Sequence, residues 1–377
     1  MPLTIGVLAE TAAGERRLSI VPEVAKRYQG LGARVVLQKD AGVPAHFPDG
    51  AFAEVSFVDS AQELCAEADI VFCVQPPPAE VIASMKPGSV LIGMLQPWNS
   101  AERARQLAEA QITAFAMELL PRISRAQSMD ILSSQGAIAG YECALIAANH
   151  SPKFFPMLTY AAGTIRPAKA LVIGAGVAGL QAIATARRIG AQVEAYDVRP
   201  ETREQIESLG AKFVDTGVSA AGSGGYAREL TDEEKAQQAE RLAKAVAQCD
   251  ALITTAAIPG KPAPRIISAE MVARMKPGAV VVDMAAETGG NVDGTVAGET
   301  VERDGVLLIG PTNIPSRMPV HASEMIAKNL FNFISPFIVD GELKLDWEDE
   351  VVAGTCLTHA GEVRHAGVRQ VLGLQGE

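Results

Sequence analysis

Three closely spaced glycines stand between an apolar run and a helix-like segment. Residues 170–173 lead into Gly174, Gly176 and Gly179, and residues 180–186 have helical composition. In a strand–turn–helix unit, such glycines permit a tight turn, close approach of backbone to a pyrophosphate, and close packing of helix on strand. The helix N-terminus adds N–H groups and partial positive charge for phosphate. The pattern therefore predicts a dinucleotide-binding turn.

A carboxylate follows at the end of the next predicted strand. Asp197 lies 18 residues after Gly179, directly behind strand-like residues 193–196. A carboxylate there accepts hydrogen bonds from the adenosine ribose hydroxyls and repels a 2′-phosphate. The position favours NAD over NADP, although the guanidinium of Arg199 offers a possible partner for a phosphate.

A second candidate region is the polar segment, residues 122–135. It holds two Arg, one Asp, two Gln and four Ser in fourteen residues, a set that is costly to bury unpaired. Two interpretations remain open from these residues alone. The segment is either a solvated linker or, if two domains pack side by side, a loop at the mouth of a cofactor crevice.

Short apolar runs separated by helix-length stretches predict parallel sheets covered by helices. We place strands at 3–7, 33–37, 55–58, 69–74, 90–93 and 112–115, and again at 170–173, 193–196, 212–214, 251–254, 280–282 and 306–309. The two sets share a local pattern, because ADIV leads to MKPGSV at residues 68–90 and CDAL leads to MKPGAV at residues 249–280. A helix over 323–334 follows the second set. The fold class predicted is α/β, with two doubly wound parallel-sheet (Rossmann-like) domains and a cleft between them.

The domain boundaries follow from the same pattern. Residues 1–132 together with 322–377 form the first predicted domain, in which the C-terminal segment returns to complete the N-terminal sheet. Residues 133–321 form the predicted NAD-binding domain.

Composition excludes several other classes. With 377 residues, 48% of them hydrophobic and 20% charged, the chain can fill two cores and is not mainly disordered. A net charge of −11 disfavours nucleic acid and anionic lipid as partners. The five cysteines are far apart and form no metal-ligand grouping, so no metal site is expected. We also expect no signal peptide and no membrane span.

The sequence closely resembles the NAD-binding component, or alpha subunit, of the proton-translocating NAD(P) transhydrogenases. The resemblance covers essentially the whole chain. Its most specific segments are PRISRAQSMDILSSQ at 121–135, RPAKALVIGAGVAGLQAIATARRIGA at 166–191, GGYAREL at 224–230 and TTAAIPGKPAP at 254–264. The first of these is nearly diagnostic.

The resemblance implies a set of cofactor-binding residues. They are Arg122, Ile123, Ser124, Arg125, Gln127, Ser128, Met129, Asp130 and Ser133 in the polar segment, Gly174, Gly176, Val177 and Gly179 in the turn, and Asp197, Val198, Arg199, Gly225, Tyr226, Gln238 and Ala257 beyond it.

Roles within this set also follow from the resemblance. Arg122, Asp130 and Ser133 would anchor the nicotinamide carboxamide, and Gln127 would reach toward a second nucleotide. These four are the predicted catalytic residues. Val177 would lie beside the pyrophosphate and Asp197 on the ribose. Residues 225–226 match a mobile loop that closes over bound nucleotide.

The implied reaction is direct hydride transfer between NAD(H) on this chain and NADP(H) on a partner. It needs positioning and no general acid or base. The implied partners are a second copy of the chain, an NADP-binding beta subunit and a membrane-embedded subunit. The implied location is peripheral, on the cytoplasmic face of the inner membrane.

Two other functions stand as alternatives. The layout also resembles alanine dehydrogenase, which places a Lys after the strand at 70–74 and a His after the strand at 90–93. Here these neighbourhoods carry Gln75 and Gln96, and Glu287 replaces the Asp that such enzymes have before a Gly-Gly pair. Arg16 remains as a possible carboxylate-binding group. The other alternative is a non-catalytic NAD-binding redox sensor whose GGYAREL loop acts as a switch.

Overall fold

The computed structural model describes residues 2–220, 228, 230–258 and 260–374. It divides into two compact units, Met1–Gln135 with Ser316–Glu377, and Gly136–Pro315. The boundaries predicted from the sequence lie at 132/133 and 321/322. Both positions of the first boundary, 132/133 and 135/136, lie within the continuous helix Ile131–His150.

The strands are β1 Thr4–Val7, β2 Arg34–Gln38, β3 Ser56–Val58, β4 Ile70–Phe72, β5 Val90–Gly93, β6 Thr113–Ala116, β7 Leu158–Tyr160, β8 Gly163–Ile165, β9 Lys169–Ile173, β10 Gln192–Tyr196, β11 Lys212–Phe213, β12 Ala251–Thr254, β13 Val280–Asp283, β14 Thr300–Arg303, β15 Val306–Ile309, β16 Ile338–Val339, β17 Glu342–Leu343, β18 Cys356–His359 and β19 Glu362–Val363.

The α-helices are α1 Pro22–Gly30, α2 Ala61–Glu67, α3 Ala79–Ala83, α4 Ala101–Glu109, α5 Ile131–His150, α6 Val177–Arg188, α7 Thr202–Ser208, α8 Asp232–Gln248, α9 Ala269–Ala273, α10 Pro319–Ile334, α11 Glu350–Thr355 and α12 Ala366–Val371. Short 3₁₀ segments include Met117–Leu119 and Ser124–Met129.

Each unit has its own sheet. The first orders its strands β19-β18-β6-β5-β4-β1-β2-β3 and the second β11-β10-β9-β12-β13-β15-β14. Strands β1 to β6 pair in parallel, as do β9 to β13 with β15, and both sets follow the doubly wound order 3-2-1-4-5-6. All twelve predicted strands are present with edges within two residues, so the predicted α/β class is confirmed.

The repeated sequence pattern has the same structural role in both units. Asp69 Oδ2 accepts the Thr4 N–H at 2.8 Å, and Lys86 Nζ donates to Asp69 Oδ1 at 2.7 Å. In the second unit, Asp250 Oδ2 accepts the Lys169 N–H at 2.9 Å, and Lys276 Nζ donates to Oδ1 at 2.8 Å. An aspartate thus secures the start of each central strand, β1 and β9, and a lysine of the MKPG turn neutralises it.

The long helix α5 begins inside the predicted polar loop. The sequence predicts one loop over residues 122–135, but residues 131–135 form the first turns of α5, and Ser124–Met129 is a 3₁₀ segment. The loop prediction fails because Asp130 caps the helix, with the Ser133 N–H donating to Asp130 Oδ1 at 2.9 Å.

Among the described residues, α5 is the one helix long and apolar enough to cross a membrane by length and composition. Ala139, Cys143, Ala144 and Ala147 of this helix pack in the core of the second unit. A core helix that is apolar on most sides passes the same test of hydropathy.

Candidate functional site

The glycine turn of the second unit has the strand–turn–helix form that the sequence predicts. Gly174 follows β9 with a φ of 93°, and a Cβ there would lie 2.7 Å from Thr255 Oγ1. A Cβ on Gly179 would lie 1.8 Å from the Gly174 carbonyl oxygen, so α6 contacts the turn too closely for any side chain. These two glycines are required by packing.

Gly176 differs from Gly174 and Gly179. It is exposed, and a Cβ built on it meets only Arg199 Nη2, at 4.0 Å. Val177, the first residue of α6, is 46% exposed. The turn therefore presents bare backbone and the unpaired N–H groups of a helix start to solvent, as an anion site requires.

Asp197 lies behind this turn at the end of β10. Its carboxylate is 7% exposed, and Oδ2 accepts the Ala175 N–H at 2.7 Å, which ties the strand end to the turn. Arg199 donates to the same carboxylate through its backbone N–H and its guanidinium. The structure thus brings together the turn, Asp197 and Arg199, with half-buried Val198 between them.

Two further predicted residues lie on neighbouring elements. Gln238 of α8 is nearly buried and donates to the Tyr196 hydroxyl at 2.8 Å, which places it beside the end of β10. Ala257 is exposed on the loop after β12. The predicted residues Gly225 and Tyr226 lie outside the described residues.

The loop that carries Ala257 is held by an asparagine that no motif in the sequence marks. Asn291 is fully buried; its Nδ2 donates to the carbonyls of Ala256 and Pro264, and its Oδ1 accepts the Ala256 N–H. Asp283 in turn accepts the Asn291 N–H at 2.9 Å. The sequence feature that could have pointed to Asn291 is Asp283, which ends a hydrophobic strand. A carboxylate buried there needs several hydrogen-bond donors, and most of them come from the residues that follow it.

In the first unit, the polar segment presents its predicted side chains unevenly. Arg122, Ser124, Gln127 and Ser128 are exposed and Ile123 is half-buried. Met129 is an exception, since it packs in the core of the first unit and has only its backbone available for a ligand.

The structure brings Asp130 and Ser133 together. Ser133 Oγ donates to Asp130 Oδ2 at 2.6 Å, and the Ser133 N–H donates to Oδ1. Both side chains are half-buried. Arg125 behaves differently from the rest, because its guanidinium makes two hydrogen bonds to the Asp349 carboxylate at the start of α11.

Helix α10 holds the polar segment through hydrogen bonds. Asn329 and Asn332 each donate to the Ser128 carbonyl at 3.0 Å, and Ser134 Oγ donates to Asn329 Oδ1 at 2.7 Å. The backbone next to Gln127 is therefore held on a rigid element while the Gln127 side chain faces solvent.

In the first unit, polar side chains at the ends of β4 and β5 hydrogen-bond to one another. Gln75 Nε2 donates to Glu15 Oε2 at 3.0 Å, and Gln96 Nε2 donates to Gln75 Oε1 at 3.0 Å. These residues lie in the two neighbourhoods, after β4 and β5, in which the resemblance to alanine dehydrogenase implies a Lys and a His. Since an amide neither gives nor takes a proton at neutral pH, the pair cannot act as acid and base.

Arg16, which the sequence suggests as a carboxylate-binding group, is not the buried arginine of this region. Arg16 is exposed and lies 3.3 Å from His46 Nε2, whereas Arg17 forms a buried ion pair with Glu15 at 2.6 Å. Arg17 Nη1 also donates to Gln135, and Ser316 Oγ donates to Glu15. Gln135 and Ser316 are the points where the chain leaves and re-enters this unit, so the ion pair secures both.

Two carboxylates of the first unit cap neighbouring strand ends. Glu10, after β1, accepts the N–H groups of Val74 and Gln75, and Glu118, after β6, accepts those of Leu95 and Gln96. Burial raises the pKa of each to about 7 despite these hydrogen bonds. The Arg17 hydrogen bond and charge lower the pKa of Glu15 to about 2, against the opposing effect of burial.

These pKa shifts predict a stability maximum in mild acid. Between pH 4.5 and about 7 the folded state binds more protons at Glu10 and Glu118 than the unfolded state, so stability falls as pH rises through this window. The Glu15 contribution is complete above pH 4.5 and disappears as pH falls toward about 2. Urea unfolding from pH 5 to 8 should show a decline that Glu118→Gln reduces by about 2 kcal/mol. The exposed Glu109→Gln is the control, and an equal decline in both variants would contradict the assignment.

The described residues include no group of three or more His, Cys, Asp or Glu side chains able to hold a metal ion.

Comparisons with known proteins identify the family of the chain. Residues 6–139 match the family model Alanine dehydrogenase/PNT, N-terminal domain, and residues 143–366 match its C-terminal domain. A relative from Rhodospirillum rubrum, named as a part of NAD(P) transhydrogenase subunit alpha, is 45% identical, covering 96% of this chain and 98% of the relative. NAD(P) transhydrogenase subunit alpha of Haemophilus influenzae is 41% identical, covering 96% and 71%.

Solved structures show the same relationship. A transhydrogenase from Sinorhizobium meliloti superposes with a TM-score of 0.85 at 40% identity, covering 97% of this chain and 99% of that one. An L-alanine dehydrogenase superposes with a TM-score of 0.82 at 24% identity, covering 98% and 99%, which shows the shared fold alone. The chain belongs to the alanine dehydrogenase/PNT family and, within it, to the alpha subunits of NAD(P) transhydrogenase.

Proposed function

We propose that this chain binds NAD(H) on its second unit and exchanges hydride directly with NADP(H) held by a partner subunit. The observation that carries the proposal is the exposed Gly176 turn with the Asp197 carboxylate directly behind it. The turn fits a pyrophosphate and the carboxylate fits a ribose diol. The family membership supports the same conclusion.

The residues of this chain bind and orient, and none of them needs to move a proton. Bound NAD(H) supplies the hydride-carrying ring. The first N–H groups of α6 bind the phosphates, and Asp197 selects an unphosphorylated ribose. Direct transfer between two carbon atoms releases no proton, which agrees with the Gln75–Gln96 pair of amides in the first unit.

The polar segment orients the nicotinamide in this proposal. Arg122, Asp130 and Ser133 hold the carboxamide, and Gln127 reaches toward the second nucleotide. The Asp130–Ser133 hydrogen bond supports this role because it preorganises one acceptor and one hydroxyl on the first turn of α5. Preorganised orientation is the principal contribution that a protein makes to hydride transfer.

Asp197→Asn tests the nucleotide assignment. Loss of the charge weakens two hydrogen bonds to the ribose, so NADH affinity should fall about 30- to 100-fold, with a smaller loss for NADPH. Calorimetric titration of both nucleotides measures this. Asp215→Asn is a matched control, because Asp215 is exposed and pairs with Arg203. Unchanged NADH affinity in the Asp197 variant would remove the ribose role.

We also propose a homodimer that docks on the NADP-binding beta subunit and a membrane-embedded subunit at the cytoplasmic face of the inner membrane. An exposed apolar hairpin supports the dimer. Of the nine exposed large hydrophobic residues in the described part of the chain, four fall between residues 154 and 165: Phe154, Met157, Tyr160 and Ile165. Such clustering marks a protein–protein contact.

The hairpin gives the dimer its own test. Tyr160 and Ile165 lie on the paired strands β7 and β8 and are 62% and 43% exposed. A Tyr160→Asp, Ile165→Asp double variant should shift the mass in analytical ultracentrifugation from dimer to monomer. Val371→Asp, an exposed apolar position on α12, is the control. A double variant that remains dimeric would place the interface elsewhere.

A further inference from the structure

The Asp197 carboxylate is fully occupied by donors of its own chain. Oδ2 accepts from the Ala175 N–H at 2.7 Å and from Arg199 Nη2 at 2.8 Å. Oδ1 accepts from the Arg199 N–H and from Arg199 Nε, both at 2.9 Å. A carboxylate has about four acceptor positions, so a ribose diol finds none available.

Only two of these four donors can leave. The N–H groups of Ala175 and Arg199 belong to the backbone of the turn and the strand end, whereas Nε and Nη2 belong to a movable side chain. A diol that binds Asp197 must therefore displace the Arg199 guanidinium.

The displaced guanidinium has a second anion within reach. Arg199 Nη2 lies 4.0 Å from the position of a Cβ on Gly176, which is where the turn leaves backbone open for a pyrophosphate. A guanidinium binds phosphate oxygens in the same forked geometry as it binds a carboxylate. The Arg199 side chain is 16% exposed, so it already lies at the surface of the turn.

We propose that Arg199 is an exchange residue that covers Asp197 in the free protein and transfers to the pyrophosphate when the dinucleotide binds. This inference rests on the proposed NAD(H) binding. The exchange replaces one arginine–carboxylate pair by an arginine–phosphate pair and a diol–carboxylate pair, so the carboxylate keeps its hydrogen bonds while the guanidinium charge moves to the phosphates. Binding of the diol thereby depends on the presence of the phosphates, and the turn discriminates against free nucleosides.

The exchange predicts effects of opposite sign for two ligands on one variant. In Arg199→Ala the carboxylate has no guanidinium to lose, so adenosine, which has the diol and no phosphate, should bind about threefold to tenfold more tightly. ADP loses its arginine partner, and its affinity should fall about tenfold. Titration calorimetry with adenosine, ADP and NADH on the full chain measures all three constants.

Two controls accompany this measurement. Arg203→Ala removes a neighbouring arginine that bonds Glu207 and Asp215 and contacts neither Asp197 nor Gly176 in the described structure, and it should leave all three constants unchanged. Arg199→Lys keeps the positive charge but cannot form the bidentate hydrogen bonds of a guanidinium. Its ADP affinity should lie between those of the wild type and Arg199→Ala.

The outcomes separate the exchange from simpler roles. If Arg199→Ala binds both adenosine and ADP more tightly, Arg199 only competes with the ribose for Asp197. If it binds both more weakly or equally, Arg199 has a structural role. Either result overturns the exchange without contradicting the proposed NAD(H) binding. Failure of the wild-type chain to bind NADH or ADP overturns the proposed function itself, and the exchange with it.

Discussion

A chain carrying Gly176→Ala is expected to fold like the wild type and to lose NADH affinity by a factor of about 100 or more. Gly176 has φ −76° and ψ −167°, which alanine adopts without strain. The new methyl group has open space around it apart from Arg199 Nη2 at 4.0 Å. It would nevertheless stand where the pyrophosphate must approach bare backbone, so binding is lost and stability is kept.

Gly179→Ala provides the contrast in the same turn. Its Cβ would lie 1.8 Å from the Gly174 carbonyl oxygen, so α6 must move away from β9. This variant should lose several kcal/mol of stability, in the range of severe overpacking. Thermal unfolding and NADH titration distinguish the two changes. A Gly176→Ala protein that binds NADH normally would contradict the location of the phosphate site.

Gln127→Asn is expected to slow hydride transfer about 100-fold at saturating nucleotide while changing the NADH dissociation constant less than about twofold. The substitution shortens by one methylene an exposed side chain whose backbone is held through Ser128 by Asn329 and Asn332. The amide is retained but no longer reaches the second nucleotide. Misplacement of an orienting group by about 1 Å is sufficient for a loss of this size.

Single-turnover kinetics with the partner subunit separates transfer from binding. Gln111→Asn, an exposed glutamine of the same unit outside the polar segment, should leave both quantities unchanged. Equal losses in binding and transfer at Gln127 would instead show that this side chain serves only to hold NADH.

The sequence predicts the nucleotide turn well because each of its residues acts locally. Gly179 packs on the Gly174 carbonyl oxygen within the turn itself, and Asp197 directly follows the predicted strand at 193–196. The repeat is recognisable because both halves carry it in the same order, with Asp69 and Asp250 each followed by the lysine of the next turn to which it bonds.

The remaining features depend on contacts between residues that are distant in sequence. The Arg125–Asp349 pair joins residues 224 positions apart, and no local pattern distinguishes Arg125 from Arg122. Arg16 and Arg17 are adjacent in the sequence, yet only Arg17 pairs with the buried Glu15, because Gln135 and Ser316 meet on that side. The start of α5 is hidden within a polar run because its cap, Asp130, has the same residue type and surroundings as a ligand group.

The most direct test of the central claim follows the hydride itself. The chain is mixed with the purified NADP-binding partner subunit carrying NADPH deuterated at the transferable C4 position, together with an NAD analogue whose reduced form absorbs at a distinct wavelength. Direct transfer predicts rapid reduction only when both proteins are present, with the deuterium recovered in the reduced analogue. Reduction by either protein alone, label lost to water, or no reduction while NADH still binds would contradict it.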